Sequence, residues 1–132
     1  TIVAVEHDRR ETAAKVIAEL SFDRDGLVPA IAQSTETGEV LMLAYMNADA
    51  VRETLETGRV CYWSRSRQAL WRKGESSGHV QKLVELRYDC DSDALLLQVA
   101  QTGPACHTNR PNCFYSAVRD GQVVVISEPV SE

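Results

Sequence analysis

Asp89, Asp91 and Asp93 alternate with Cys90 and Ser92, and Cys106, His107 and Cys113 follow in the next loop, so hard carboxylates and soft thiolates share one short stretch. Carboxylate oxygens suit Mg²⁺, Ca²⁺ or Mn²⁺, whereas thiolates select Zn²⁺ or Fe–S chemistry. Two metals with two tasks are the expectation. A closed structural zinc site takes four protein ligands, while a catalytic one takes three and keeps a position for water. Cys90, Cys106 and Cys113 make a set of the second kind. Six residues separate Cys106 from Cys113, wider than the spacing of a zinc knuckle, so no ready-made clip is present. Cys61, within Val60-Cys61-Tyr62-Trp63, fits a buried filler and is also the candidate fourth ligand of a structural site.

If residues 84–93 stay extended, period-two alternation turns Cys90 with Val84, Leu86 and Tyr88 to one face and the three aspartates to the other. A magnesium face and a zinc face on one strand would result. The bland alternative is a solvated acidic turn beside small buried thiols. It loses force for Cys106 and Cys113, which lie in the polar, irregular stretch 103–113, where filler has little purpose.

Ser64-Arg65-Ser66-Arg67 and Trp71-Arg72-Lys73-Gly74-Glu75-Ser76-Ser77-Gly78 form a basic, hydroxyl-rich island in a chain of net charge −5. Guanidiniums, hydroxyls and flexible backbone suit a phosphate, which assigns Ser64, Arg65, Lys73, Ser76 and Ser77 to substrate binding. Trp63 and Trp71 offer a surface on which a base can stack. A solvated charged face is the competing explanation, since neither a P-loop nor a dinucleotide fingerprint occurs. His107, next to Cys106, and then His79 are the candidate proton carriers, because an imidazole titrates near neutrality.

These groups need a scaffold of modest size. The 132 residues suit one domain, 1–132, with an N-terminal helical segment over 1–21 and a core over about 22–126. Ala13, Ala14, Val16, Ile17 and Leu20 predict a helix over 8–20, with Gly26 ending it. Residues 28–33 and 39–45 read as a hairpin turning through Thr35-Glu36-Thr37-Gly38. Asn47 and Gly58 bracket a short helix as N-cap and terminator. Strands are expected over 59–64, 79–89, 94–101, 114–118 and 122–126, and irregular segments over 65–78 and 102–112. The fold class is α+β, mostly antiparallel, with two short helices. No apolar run reaches the roughly 20 residues of a membrane span, and the charged residues 6–11 leave no signal-peptide core. A cytoplasmic location is expected, with the four cysteines kept as thiols. The acidic balance argues against broad nucleic-acid binding.

Met42-Leu43-Ala44-Tyr45-Met46-Asn47, Tyr62-Trp63-Ser64-Arg65-Ser66-Arg67, Leu70-Trp71-Arg72-Lys73-Gly74-Glu75-Ser76-Ser77-Gly78-His79, Asp89-Cys90-Asp91-Ser92-Asp93 and Ala105-Cys106-His107-Thr108 resemble, in this order, the phosphoribosyl-AMP cyclohydrolases of histidine biosynthesis. The resemblance runs from about Phe22 to Tyr115. It implies a hydrolase that opens the adenine ring of phosphoribosyl-AMP between N1 and C6, giving the formimino-carboxamide product. It further implies an intertwined homodimer needing Zn²⁺ and Mg²⁺. By position, Cys90, Cys106 and Cys113 resemble the family's zinc ligands, gathered across the dimer interface, and Asp89, Asp91 and Asp93 its magnesium ligands. Cys61 has no ligand role in that pattern. Asn109-Arg110-Pro111-Asn112 departs from it, where the family often has glycine followed by basic residues. Asparagine tolerates left-handed backbone, so this loop is expected to turn all the same. The 17 residues after Tyr115 leave no room for the pyrophosphohydrolase domain to which the family is sometimes fused.

Zinc brings the pKa of a bound water toward 7, as in the deaminases that attack C6 of adenine, and ring opening would begin at the same carbon. The rival reading is a zinc-stabilised nucleic-acid or nucleotide binding module in which Cys61 completes a four-thiolate site. A thiol redox protein is disfavoured by the lack of any Cys-x-x-Cys pair.

Overall fold

The computed structural model describes the backbone of residues 2–130 and the side chains of residues 8–130. Helix α1 (Ile2–Glu19) is longer than the periodicity over 8–20 predicts, and none of the described helices is long and apolar enough to cross a membrane. Ala13 and Leu20 are buried, and Val16 and Ile17 pack against the core. Gly26 does not end this helix. It sits at φ +75 in a separate turn, where the Asp23 carboxylate accepts from the amides of Asp25 and Leu27.

Strands β1 (Val28–Ser34) and β2 (Val40–Met46) form the expected hairpin, and the Ser34 hydroxyl accepts from the amides of Glu36 and Thr37 in its turn. Helix α2 (Ala48–Thr57) is capped as predicted. The Asn47 side chain accepts from the Ala50 amide at 2.8 Å, and Gly58 closes the helix at φ +77. The 65–78 segment is less irregular than its composition suggests, because β3 (Cys61–Ser64) turns back into β4 (Ala69–Arg72). Strands β5 (Gln81–Tyr88) and β6 (Leu95–Gln101) complete a six-stranded sheet of order β4-β3-β2-β1-β6-β5, antiparallel except where β1 meets β6. A separate hairpin, β7 (Ser116–Arg119) and β8 (Gln122–Val125), turns at Asp120-Gly121.

The fold is thus α+β and mainly antiparallel. Helix α2 packs on β2 and β3, and α1 packs on α2. Thr54 ties α2 to β3: its hydroxyl accepts from the Cys61 amide at 2.9 Å and donates to the Cys61 carbonyl. Under the site-bearing loops lies a buried polar chain in which the Tyr62 hydroxyl donates to Gln81 Oε1 at 2.6 Å and Gln81 Nε2 donates to Gln101 Oε1 at 2.9 Å. Tyr62→Phe strips Gln81 of a buried donor and is expected to cost about 1–3 kcal/mol, read as a lower urea midpoint with unchanged m-value.

Several large apolar side chains are exposed among the described residues. Val118 and Val123 on the β7–β8 hairpin are 75% and 79% exposed, and Val84 on edge strand β5 is 58% exposed.

Candidate active site

Two loops meet at one end of the sheet and enclose a cavity of about 340 Å³ lined by Lys73, Ser76, Ser77, His79, Cys106 and His107. The first loop, 73–78, is folded by its glycines: the Gly78 amide donates to the Gly74 carbonyl at 2.8 Å, with both glycines at positive φ. That curl brings Ser76, Ser77 and His79 to the same rim as Lys73. The second loop, 102–113, turns at Asn109, whose φ of +66 is the left-handed conformation expected of asparagine here. Its amide donates to the Cys106 carbonyl at 3.0 Å, and the Arg110 side chain holds the loop by donating to the Ser127 carbonyl at 2.8 Å.

Cys106 and Cys113 lie close enough that each shifts the ionisation of the other. Burial opposes ionisation of Cys106, but the Thr108 hydroxyl, which donates to Sγ at 3.0 Å, helps bring its pKa below that of an ordinary thiol. Cys113 moves the other way, to about 11, through burial and then the charge of Cys106. The Lys73 ammonium donates to the Ala105 carbonyl at 2.6 Å, and burial lowers its pKa while the neighbouring thiolates resist. A pair of soft donors, one biased toward thiolate, fits a zinc ion better than a hard cation.

Cys90 is elsewhere. Strand β5 ends at Tyr88, and Asp89–Asp93 form a turn instead of an extended run, which removes the two-faced strand expected from period-two alternation. Three interactions close the turn: the Asp89 amide donates to the Ala94 carbonyl, the Ser92 amide to the Asp89 carbonyl, and the Asp93 amide to Asp89 Oδ1 at 3.0 Å, with Ser92 at φ +58. Alternation already fails at Val84, where a bulge shifts the register and leaves Leu83 and Leu86 as the residues packed on the core. The amide of Asp93 lowers the Asp89 pKa, while the Asp89 carboxylate raises that of Asp93, so the two share a negatively charged corner suited to a hard cation. This corner and Cys90 cap the Leu95 end of β6, whereas Cys106 and Cys113 follow its Gln101 end. Strand β6 holds them roughly 20 Å apart at about 3.3 Å per residue. Among the described residues no three potential ligands converge within one protomer.

Trp63, Ser64 and Arg65 line a neighbouring depression that shares Trp71 with the main cavity. Arg65 lies with its guanidinium 4.0 Å from the centre of the Tyr45 ring. Arg67, Glu75 and Asn109 also line the main cavity and were not singled out as site residues from composition. Arg67 carried a signal as a member of the basic island, and Glu75 as the one acid in its hydroxyl-rich second run.

Cys61 is fully buried between α2 and β3, and burial followed by the charge of Glu53 pushes its thiol up to about 12. It is a filler residue. Cys61→Ala is expected to leave the metal content unchanged, whereas a loss of metal, read by atomic emission, would restore the four-thiolate reading.

The phosphoribosyl-AMP cyclohydrolase family profile matches residues 42–115, which span both cavity loops and the acidic turn. A phosphoribosyl-AMP cyclohydrolase of Paracoccus denitrificans is 70% identical over 112 residues, covering 85% of this chain and 93% of the relative. The Dinoroseobacter shibae protein of that name is 68% identical over 113 residues, 86% of this chain and 95% of its own. Phosphoribosyl-AMP cyclohydrolase 2 of Pseudomonas fluorescens is 63% identical over 117 residues, 89% and 80% of the two chains. With the family profile and these relatives in agreement, the chain belongs to the phosphoribosyl-AMP cyclohydrolase family.

Proposed function

We propose that this protein is a zinc- and magnesium-dependent homodimer that hydrolyses phosphoribosyl-AMP in the cytoplasm, opening the adenine ring between N1 and C6. The observation that carries the reading is the cavity in which Cys106, with Cys113 beside it, adjoins a phosphate-suited loop and two imidazoles. In the reaction, the oxygen of water bonds to C6, the C6–N1 bond breaks, and N1 takes up a proton, leaving a carboxamide and a formimino link. Cys106 and Cys113, with Cys90 of a second copy, would hold zinc, which would acidify a water for the attack on C6. Lys73, Ser76 and Ser77 bind phosphate beside it, and His107 and His79 are the groups placed to move the proton. Asp89, Asp91 and Asp93 would hold magnesium, a hard cation suited to their carboxylates. The exposed valines of β5 and of the β7–β8 hairpin supply apolar area for such a dimer. All four cysteines are free, as a reducing compartment would keep them.

The deciding experiment is incubation with phosphoribosyl-AMP while the new carboxamide chromophore is followed, with and without a chelator. Turnover that stops on chelation and returns with zinc is expected; no turnover by the zinc-loaded protein would exclude the reading. His107→Ala is expected to lower kcat about 10²-fold with zinc retained, within the usual worth of a positioned proton carrier. Near-normal kcat would remove His107 from the proton path. Arg65→Ala is expected to raise KM, and an unchanged KM would exclude that side chain from phosphate binding.

A further inference from the structure

We propose that Gly103 and Gly74 clamp the His79 imidazole in a fixed pose against the substrate, which makes His79 the preorganised catalytic histidine and Gly103 its positioning residue. A Cβ built on Gly103 would lie 2.7 Å from His79 Cδ2, 3.1 Å from Nε2 and 3.3 Å from Cγ. An approach along the ring edge would leave the two flanking atoms about 1 Å farther than Cδ2, so these distances place Gly103 over the ring face, at ordinary aromatic bond lengths. The glycine therefore forms the floor on which the imidazole rests. It lines a cleft on the far side of the 103–104 segment, whereas His79 lines the cavity.

The second glycine fixes the backbone of the same residue. A Cβ on Gly74 would lie 2.5 Å from the His79 carbonyl carbon and 2.6 Å from Val80 Cα, so the phosphate-suited loop packs backbone to backbone on residues 79–80. The His79 amide donates to Ser77 Oγ at 3.2 Å, and its carbonyl accepts from Gln101 Nε2 at 3.3 Å. Among the described residues, no hydrogen bond is made to either ring nitrogen. A half-buried ring held by its face and its backbone, in a residue that lines the cavity, is preorganised to bond a ligand. His107 in contrast is exposed.

This inference rests on the proposed hydrolase activity, and its test separates the two. Gly103→Ala is expected to lower kcat about 10²-fold, the scale of a misplacement near 1 Å, with zinc content and KM little changed. In a His79→Ala background, where no ring remains to be displaced, Gly103→Ala should cost no more than about twofold. An equal loss in both backgrounds means backbone strain at φ +69 and overturns the clamp, as does wild-type kcat in either single variant. Gly103→Asn repeats the ring contact with a residue that tolerates left-handed backbone, and should match Gly103→Ala if that variant folds poorly. If the wild-type protein does not turn over phosphoribosyl-AMP, the hydrolase reading falls and NMR decides the clamp alone. Gly103→Ala must then shift the His79 ring resonances; unshifted resonances sink it.

Discussion

Cys106→Ser is expected to lose bound zinc and to lower kcat by three orders of magnitude or more while the fold persists. Metal activation is worth several kcal/mol, and each ~1.4 kcal/mol is tenfold in rate, so about 10³-fold is the smallest loss consistent with a catalytic metal. The fold should survive because Cys106 sits in a loop held by other contacts: Arg110 to Ser127, the Cys113 amide to the Leu41 carbonyl at 2.8 Å, and the Asn112 side chain to Glu39. The buried polar chain through Tyr62, Gln81 and Gln101 does not include it. Zinc content, kcat and thermal midpoint measured together make the test sharp. A variant that keeps zinc and turns over would remove Cys106 from the metal site, whereas one that unfolds would make the zinc structural. Thr108→Val, which takes away the hydroxyl bonded to Cys106 Sγ, is expected to weaken zinc binding about 10- to 100-fold, as loss of a supporting hydrogen bond around a metal usually does. A zinc-buffered titration reads it, and unaltered affinity would show that the hydroxyl does not support the ligand.

Local rules sufficed where neighbouring residues decide the structure. Asn47 and Gly58 could be placed at the ends of α2 because capping is settled within four residues, and the β1–β2 hairpin announced itself through Thr35–Gly38. The 102–113 segment was legible as an irregular loop, although it buries Ala105 and Cys106, which its polar, glycine-containing sequence gave no reason to expect. What local rules missed depends on partners distant in sequence or on competing local preferences. Strand β4 exists through its pairing with β3, in a segment whose charges and glycines describe a loop. The two-faced arrangement of Asp89–Asp93 depended on the chain staying extended past residue 89, as alternating aspartates allow, yet Asp and Ser are also turn formers. The hairpin register between Tyr88 and Leu95 lets the turn preference win. The bulge at Val84 had no signature in composition, and the packing of Gly103 on His79 joins positions that only the fold makes neighbours.

The turn at Asp89–Asp93 changes what the proposed zinc site requires. Because β6 separates Cys90 from Cys106 and Cys113, the three thiols can meet only if one copy offers its hairpin end to the loop end of another. Subunit mixing exposes this arrangement directly. Cys90→Ser and Cys106→Ser homodimers should each be inactive, since every site in either lacks one thiol. In a mixed dimer one site combines both defects, while the other joins an intact Cys90 to an intact Cys106 and Cys113. Random reassociation makes half the dimers mixed with one of their two sites whole, so activity should return to about a quarter of wild type for two-fold symmetric assembly. Zinc content should rise in parallel. Activity that stays at zero after verified exchange would mean that the ligands belong to one chain, and that the hairpin must rearrange to bring Cys90 across the length of β6.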